Sequence, residues 1–580
     1  MSVTDTGAPT PPQSPDAGAQ FMGHPRGLVT LFFTEMWERF SFYGMRALLV
    51  IYLTQHFLFS DNKAQGLYGA YAALVYLIPV IGGVIADRFL GARKAVTIGA
   101  LFLVLGHFGM AFEGRGSVQE LTYNGGVYDV VADGRGDDRK LNLITGDAEF
   151  PVTFSAEGMT VTGAGERLPA FIPSAGYKLS VRPDVAQIGP ISVPFEQILY
   201  LSLAFIIVGV GFLKANISTT VGSLYAPGDP RRDGGFTIFY MGINLGAFLA
   251  TLACGYLGQT YGWKYGFGLA GVGMLFGLIQ YLMGQKHLHG KADPPKPIGA
   301  MTEGLFWIGG LLAVIPAWML VQQTVMMEHA LPILVPALFI GVFAYVVIAF
   351  KGVERGKMIA ALAMIMFSVI FWMLFEQAGS SLSLFAERST DLTVVPGVVM
   401  TAAQTQSFNA GFIVLLAIPF SMMWVWLAKK KLEPSTPVKF ALALLQVGLG
   451  FFVLVAGAQF AGPDFKVPLI FLALLYLLHT TGELFLSPVG LSMITKLSAA
   501  RVVGLMMGVW FLSSSLAHIL AAIIAQRTSQ DTVAGQVVDP AGQLQSYVTV
   551  FTQVGIAGLV AGVILLALSP FIKKWMADVH

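Results

Sequence analysis

Long apolar stretches of about 20 residues recur along this sequence almost to its end, and they limit the possible fold more than any other feature. A stretch of that length crosses the hydrocarbon core of a bilayer as one α-helix. With 55% hydrophobic residues, 12% charged residues and a mean hydropathy of +0.69, the chain is too apolar for a set of soluble domains. The stretches are also too long and too continuous for the alternating strands of a membrane barrel. The sequence therefore predicts an all-α polytopic membrane protein.

The number and orientation of the spans follow from hydropathy and charge. We predict about fourteen spans, bounded approximately by 28–58, 65–87, 94–112, 198–220, 235–258, 265–284, 298–322, 332–352, 358–386, 404–428, 437–460, 467–495, 502–526 and 547–571. Alternate connections on one side carry most of the Lys and Arg, for example the run Lys429, Lys430 and Lys431, whereas the short loops opposite carry few. By the positive-inside rule, both termini are expected to be cytoplasmic.

One connection, residues 113–197, is far longer and more polar than a turn between spans requires, and it falls on the outer side. Its short alternating runs, such as Val127–Val131 and Lys178–Arg182, lie between turn pairs such as Asn124-Gly125. This pattern predicts a small β-rich extracytoplasmic insert. Its acidic residues lack the spacing of a calcium loop, so no metal site is expected there.

The first span carries four ionisable side chains where lipid is expected: Glu35, Glu38, Arg39 and Arg46. Each costs several kcal/mol in hydrocarbon. At about 100° per residue, all four fall on one helical face. The span therefore presents a polar stripe to an internal cavity, as in a transporter. The alternative is an ion-pair network that only holds helices together.

Further charges lie deep in later spans: Lys214, Glu376 and Glu483. None has an opposite charge within one turn of its own helix, so the partners must come from other helices and a shared polar cavity is expected near mid-membrane. Cationic groups on the early spans and isolated carboxylates on the later spans suit a zwitterion, such as a peptide. Uncharged groups that can hydrogen-bond and aromatic surfaces for side chains are offered by Asn244, Gln406, Asn409, Tyr43, Tyr76, Trp372 and Trp510.

Several function classes find no support in the sequence. There is no nucleophile elbow, no His-Glu-x-x-His and no phosphate-binding loop, so we do not expect an enzyme. The lone Cys254 excludes a disulfide framework and a multi-cysteine metal site. We expect no cofactor, no metal and no nucleic-acid partner. A proton-coupled facilitator for another small zwitterion, anion or drug remains an alternative, as does a non-transporting sensor whose insert binds the ligand.

Three motifs resemble the proton-dependent oligopeptide transporter (POT) family of the major facilitator superfamily. The first span is similar to the family motif Glu-x-x-Glu-Arg-Phe-x-Tyr-Tyr-Gly and departs from it at Phe42, where the family has tyrosine. The connection after the second span, Gly82 to Arg93, resembles the cytoplasmic loop motif of the superfamily. The third motif is Phe239-Tyr240-x-x-Ile243-Asn244-x-Gly246 in the fifth span.

The resemblance implies a bacterial inner-membrane symporter that imports di- and tripeptides with protons by alternating access. It implies the major facilitator fold, with two six-helix bundles around a central site and two extra helices between them. The expected domains are a disordered tail at 1–25, spans 1–3 at 26–112, the periplasmic insert at 113–197, spans 4–6 at 198–285, the linker with two extra helices at 286–357, the second bundle at 358–572 and a tail at 573–580.

The resemblance also implies roles for individual residues. Proton coupling is expected to involve Glu35, Glu38, Arg39, Lys214 and Glu376. Arg39, Lys214 and Asn244 would hold the carboxylate end of the peptide, and Asn409 and Glu483 its amino end, with Ser487 nearby. Arg46 and Glu376 would form a gating ion pair between the halves. The pocket would be lined by the aromatic residues Tyr43, Tyr76, Trp372 and Trp510. A proton on Glu35 or Glu38 would release Arg39 or Lys214 to bind the substrate, and the chain would work as a monomer in the bilayer.

Overall fold

The computed structural model describes residues 20–134, 139–165, 167–226, 229, 231–294 and 296–577, and it leaves the side chains of residues 188, 487–492 and 495 outside the description. The expected tail at 1–25 therefore falls mostly outside the described residues, as does the end of the tail at 573–580. Within the range expected for this tail, Gln20–Phe21 pairs with His24–Pro25 as two short antiparallel strands.

The described residues are predominantly helical. The α-helices are α1 Arg26–Gln55, α2 Asp61–Ile85, α3 Ala92–Met110, α4 Phe195–Ser223, α5 Arg231–Thr260, α6 Trp263–Gly284, α7 Ala300–Val321, α8 Thr324–Ala349, α9 Gly352–Phe375, α10 Ser381–Ser389, α11 Ser407–Lys429, α12 Thr436–Gly457, α13 Leu469–Leu497, α14 Val503–Gln526 and α15 Pro540–Met576.

The helices account for the fourteen predicted spans. In the described part of the chain, 13 helical segments are long and apolar enough to cross a membrane, with α9 and α10 counted together as Gly352–Ser389. The remaining span is α1, which has 30 residues but owes its low hydropathy to the charged stripe found in the sequence. Hydropathy alone would thus miss the helix whose charges are most informative.

Two predicted spans differ from the structure, one in where it begins and one in its continuity. The helix predicted to begin at Pro332 begins at Thr324, so that Pro332 and Pro336 lie inside α8. Neighbouring helices and local adjustment let a membrane helix tolerate internal proline. The span predicted at 358–386 is broken after Phe375 by a 3₁₀ turn at Glu376–Gly379, and α10 follows. This break leaves Glu376 at the end of a helix rather than within one.

The helices pack as two halves with two additional helices outside them. In the first half, α1 packs on α5 and α6, and α3 packs on α4; in the second, α12 packs on α13 and α15. The halves meet mainly where α2 lies along α14 and α5 lies along α11. Helices α7 and α8 lie outside, against α2, α4 and α14, with most of their own surface exposed. The observed arrangement is the predicted major facilitator fold.

The insert is β-rich, as predicted. Its main sheet contains β1 Val118–Tyr123, β2 Gly126–Asp133, β3 Lys140–Thr145, β4 Ala148–Phe154, β5 Gly158–Val161, β6 Phe171–Pro173 and β7 Lys178–Arg182. The strands are antiparallel in the order β6-β5-β4-β3-β2-β1-β7. A separate hairpin, β8 Val185–Ile188 with β9 Ile191–Pro194, leads into α4. At the β1–β2 turn, Asn124 and Gly125 have φ of 47° and 79°, the left-handed conformation that this residue pair favours in a tight hairpin.

The insert contacts both halves of the helical bundle. On the first half, the backbone N–H of Ser117 donates to the carbonyl of His56, just after α1. From the second half, the α14–α15 connection places Val533 and Ala534 in the hydrophobic core of the insert, where each is almost fully buried. Arg139 also donates to the carbonyl oxygen of Ala534 at 2.6 Å. The insert therefore covers the seam between the halves on one face of the bundle.

Candidate functional site

The charged stripe of α1 forms a compact buried cluster. Arg39 Nε donates to Glu35 Oε1 at 2.7 Å and lies 2.9 Å from Glu38 Oε2. Among the described residues, Glu35 Oε2 and both carboxylate oxygens of Glu38 are buried without a hydrogen-bond partner. Two carboxylates therefore share one guanidinium, an arrangement that provides a place for an additional proton.

Lys214, on α4, lies near this cluster. Its Nζ lies 3.6 Å from the centre of the Tyr76 ring, a cation–π contact with α2. It makes no ion pair with any residue in the described part of the chain. Its ammonium group is thus held by an aromatic face, which leaves charge-assisted hydrogen bonds available for a ligand.

Aromatic and imidazole rings connect Lys214 to the second half of the protein. The Tyr76 ring stacks on His518 of α14 with 4.5 Å between centroids. His518 Nδ1 is 2.8 Å from the carbonyl of Ser514, and its Nε2 is 3.6 Å from Glu376 Oε1. A series of contacts therefore runs from Lys214 to Glu376 through Tyr76 and His518, across the boundary between the halves.

Glu376 and Arg46 form an ion pair across the same boundary. Arg46 Nη2 donates to Glu376 Oε2, and Arg46 Nε donates to the Tyr68 hydroxyl at 2.7 Å. Both charged residues are buried. The 3₁₀ turn after α9 brings Glu376 to α1, although the two residues are 330 positions apart in the sequence.

A cavity of about 160 Å³ lies between the halves beside this pair. Most of the predicted pocket residues line it: Tyr43, Arg46, Tyr76, Asn244, Trp372, Glu376, Asn409 and Glu483. Gln406 also lines it and donates to Ser383 Oγ at 2.9 Å. Since these side chains come from α1, α2, α5, α9, α11, α13 and the 3₁₀ turns after α9 and before α11, the cavity exists only when both halves are assembled.

The wall of the cavity on the second half contains the carboxylate of Glu483. Asn409 Nδ2 donates to Glu483 Oε2 and to Thr480 Oγ1, each at 3.0 Å. Glu483 makes no ion pair with any residue that the structure describes. Isolated carboxylates at this depth are costly, so a cationic group of a ligand would find a favourable position here.

The face of the bundle that carries the insert is closed by polar contacts between the halves. Arg388 binds Asp61 in a bidentate manner at 2.6 and 2.8 Å, and both side chains are buried. One residue earlier on α10, the Glu387 carboxylate accepts hydrogen bonds from Gln55 at 2.6 Å and from Gln259 at 2.8 Å. These contacts separate the central cavity from the insert side.

Some predicted residues lie elsewhere. Glu35, Glu38, Arg39 and Lys214 lie outside the lining of the cavity, as does Trp510, which packs against the core. The side chain of Ser487 lies outside the described residues.

Sequence reasoning missed several residues of the site. Tyr240 and Tyr476 line the cavity, and Tyr68 binds Arg46. Nothing in the local pattern of α2 distinguishes Tyr68 from Tyr71, a neighbouring tyrosine that is also buried. The structure also places His518 against both Tyr76 and Glu376.

Comparison with known proteins gives consistent results. The family model described as the POT family matches residues 93–539. The peptide transporter YePEPT of Yersinia enterocolitica is 31% identical, with 96% of each chain covered. The di-/tripeptide transporter of Lactococcus lactis is 31% identical, covering 97% of this chain and 98% of the relative. A crystal structure of a mutant peptide transporter POT in complex with alafosfalin is 33% identical and superposes with a TM-score of 0.73, covering 97% of both chains. The motifs, the fold and these similarities together establish that the chain belongs to the POT family.

Proposed function

We propose that this protein imports di- and tripeptides across the bacterial inner membrane by proton symport and alternating access. The observation that carries the proposal is the separation of charge around the central cavity: among the described residues, Lys214 of the first half and Glu483 of the second form no ion pair. Family membership and the peptide-transporting relatives support the same substrate class.

The charges inside the bundle favour binding one proton together with one zwitterion. In their ordinary ionic forms, Arg39, Arg46 and Lys214 supply three positive charges to the site. Four carboxylates, those of Glu35, Glu38, Glu376 and Glu483, leave a net charge of −1. A zwitterionic peptide does not change this total, whereas a proton brings it to zero. Since uncompensated buried charge is costly, the neutral loaded state would cross between conformations most easily.

The two ends of the peptide would bind toward opposite halves, and its carboxylate would extend beyond the cavity lining to Lys214 and Arg39. Lys214, with Arg39 and Asn244, would receive the carboxylate, and Glu483, held by Asn409, would receive the amino group. Ser487 would lie near the amino end. Side chains of the peptide would contact Tyr43, Tyr76 and Trp372. Trp510 would reach the peptide only when the peptide is longer or when the protein adopts another conformation. Aromatic faces accept varied side chains because they bind through area and ring geometry rather than fixed hydrogen bonds.

Proton binding would control access to Lys214 and Arg39. A proton on Glu35 or Glu38 removes one of the two carboxylates that hold the Arg39 guanidinium, so that this cluster together with Lys214 has a net charge of +1. That cluster then attracts the substrate carboxylate. The contacts from Lys214 through Tyr76 and His518 would transmit occupancy to the Arg46–Glu376 gate, which opens when the halves move apart.

The proposal includes orientation and assembly. The Lys and Arg distribution supports cytoplasmic termini and a periplasmic insert. All proposed site residues come from one chain, so we propose that a monomer is sufficient. The energy source would be the proton gradient, with no cofactor. A potential of about 100 mV gives roughly 2.3 kcal/mol per charge, which supports about fifty-fold accumulation.

The proposal can be tested by uptake of labelled dialanine into proteoliposomes. With the interior made alkaline and negative, we expect accumulation above the external concentration. An uncoupler should reduce uptake to equilibration, and protein-free liposomes provide the background. Accumulation of dialanine that is unchanged by the uncoupler would contradict proton coupling. Binding without any uptake would favour a sensor, and failure of unlabelled tripeptides to compete would favour a facilitator for another substrate.

The role of Glu483 predicts a difference between free and N-acetylated dipeptides. Glu483→Gln keeps a side chain that can bond with Asn409 but removes the negative charge. We expect competition by free dialanine for uptake to weaken by at least about tenfold, because its ammonium loses a charged partner. N-acetyl-dialanine has no such charge, so its inhibition should change little. Equal weakening for both compounds would show that Glu483 acts structurally or only in gating.

The insert is expected to modulate transport rather than supply the site. Its ends are adjacent, since a Cβ built on Gly114 would lie 2.7 Å from the Phe195 ring. A short Gly/Ser linker replacing residues 115–194 should therefore leave the bundle intact and retain dialanine uptake within about an order of magnitude. A monodisperse protein that binds no peptide would show that the insert belongs to the site. Because the deletion exposes Val533 and Ala534, Val533→Ser in the shortened chain provides a control for aggregation.

A further inference from the structure

A groove runs along the outside of the bundle between α1 and α6, on the face away from the central cavity. It has a volume of about 790 Å³, and its walls include Val29, Trp37, Phe276, Ile279 and Met283. The α1 residues Arg26, Thr30 and Trp37 line it at helical spacing, over a length of about 16 Å at 1.5 Å rise per residue. The groove therefore has the length and polarity of an extended acyl chain rather than of a compact polar ligand.

The few polar groups in the groove already bind one another. Gln280 Nε2 donates to the carbonyl of Thr30 at 3.3 Å, and the Thr34 hydroxyl donates to Gln280 Oε1 at 3.0 Å. The outer wall is exposed, with Met283 at 72% and Phe276 at 53% exposure. An apolar chain could thus occupy the groove without leaving a buried polar group unsatisfied.

A group of basic residues surrounds one end of the same groove. Arg26, Lys286 and His287 line this end, and none of them forms an ion pair with any residue in the described ranges. Arg26 and Lys286 are the permanent cations at this end, and His287 adds an imidazole that can form a hydrogen bond. Phe21, which is 54% exposed, completes this end of the groove just before α1. Two neighbouring cations that form no ion pair with any described residue attract an anion.

From this combination we propose that the α1–α6 groove binds one anionic phospholipid of the cytoplasmic leaflet. The phosphate would bind Arg26, Lys286 and His287, and one acyl chain would lie along the groove to Trp37. The charged end lies at the membrane face that the positive-inside rule assigns to the cytoplasm, where anionic lipids meet basic pockets between helices. The inference depends on this orientation but not on which substrate is transported.

The lipid would touch the back of the helix that carries the charged cluster. Trp37 is next to Glu38 in the sequence, and it packs on Phe40 at 5.5 Å and on Phe276 at 5.8 Å between ring centroids. A Cβ built on Gly277 of α6 would lie only 2.9 Å from the Cβ of Trp37, so the two helices are in close contact here. Occupancy of the groove would hold α1 against α6 where the coupling residues are located.

Native mass spectrometry of the full-length protein with phosphatidylglycerol and phosphatidylcholine of equal chain length tests the proposal. We expect wild type to retain phosphatidylglycerol at least about fivefold more than phosphatidylcholine. Arg26→Gln with Lys286→Gln should abolish this preference, whereas Arg26→Lys with Lys286→Arg should keep it. The matched control is Lys573→Gln with Lys574→Gln, which removes two exposed cations at the same face. An undiminished preference in the first double variant, or an equal loss in the control, would overturn the proposal.

A second variant tests the acyl-chain part of the site. Ile279→Trp should fill the groove and reduce retention of phosphatidylglycerol by at least about fivefold while leaving the basic residues in place. Undiminished retention in a monodisperse Ile279→Trp protein would contradict the groove. Displacement of the lipid by millimolar inorganic phosphate would show a simple phosphate site and would also overturn the proposal. If Ile279→Trp does not fold, the charge variants alone decide.

Discussion

Proteoliposomes containing Lys214→Ala or Glu38→Gln are expected to show no gradient-driven dialanine uptake above protein-free liposomes. Lys214 is a half-buried cation that contacts Tyr76 and has no carboxylate partner in the described part of the chain, so its loss removes the proposed anchor for the peptide carboxylate. Glu38 shares Arg39 with Glu35, and a permanently neutral side chain there can no longer release a proton. Uptake of labelled dialanine under an imposed gradient is the measurement.

Counterflow separates the proposed role of Glu38 in proton release from that of Lys214 in binding the peptide carboxylate. Exchange of labelled for unlabelled peptide without a gradient need not release the proton, so Glu38→Gln should retain more of it than Lys214→Ala. The matched control is Lys63→Ala with Glu196→Gln, which removes a partly exposed ion pair linking α2 and α4 at the insert side. Surface pairs of this kind contribute about 0–1 kcal/mol, so the control should transport normally. Normal accumulation by Lys214→Ala or Glu38→Gln would remove that residue from the mechanism.

Glu376→Gln is expected to open the insert side of the protein and to reduce uptake by about a hundredfold. The buried Arg46 guanidinium would keep its hydrogen bond to the Tyr68 hydroxyl but lose Glu376, its only charged partner among the described residues. Removing one member of a buried pair costs roughly 3–5 kcal/mol, which here destabilises the conformation that closes the gate. Ala378 lines the cavity, so a cysteine introduced by Ala378→Cys reports whether a membrane-impermeant thiol reagent can reach the cavity. We expect outside labelling to rise at least tenfold.

Two features of the chain make this experiment interpretable. The sole native thiol, Cys254, is buried, so background labelling should be low. Lys439→Ala, which breaks a pair with Glu433 outside the cavity, provides a control that should change neither labelling nor uptake. If Glu376→Gln folds normally and labels no faster than wild type, the Arg46–Glu376 pair does not hold the gate closed, and Arg388–Asp61 would then be sufficient for closure.

The sequence predicted those features that depend on local periodicity. The lengths of the apolar stretches gave the helical class and the number of spans, because hydrocarbon leaves a long apolar segment few alternatives. Helical spacing placed Glu35, Glu38 and Arg39 on one face, and the structure finds them in contact. Turn chemistry at Asn124-Gly125 similarly indicated the first hairpin of the insert.

Other features could not be read from local pattern. Proline suggests a helix start, yet packing among neighbours retains Pro332 and Pro336 inside α8. The break after Phe375 follows a sequence that remains apolar and helical in pattern, and it is this break that turns Glu376 toward Arg46. Both cases depend on contacts that neighbouring residues in the sequence do not encode.

By itself, the sequence determined that this chain is a bundle of membrane helices with a charged internal face, because the cost of exposing charge or unpaired backbone to lipid applies to each segment separately. Only the tertiary structure decided which charges meet. The pairing of Arg46 with Glu376, the support of Lys214 by Tyr76, and the isolation of Glu483 each depend on how two distant helices pack. Periodicity fixes the face on which a side chain lies, but the neighbour of that face is set by the packing of the whole bundle.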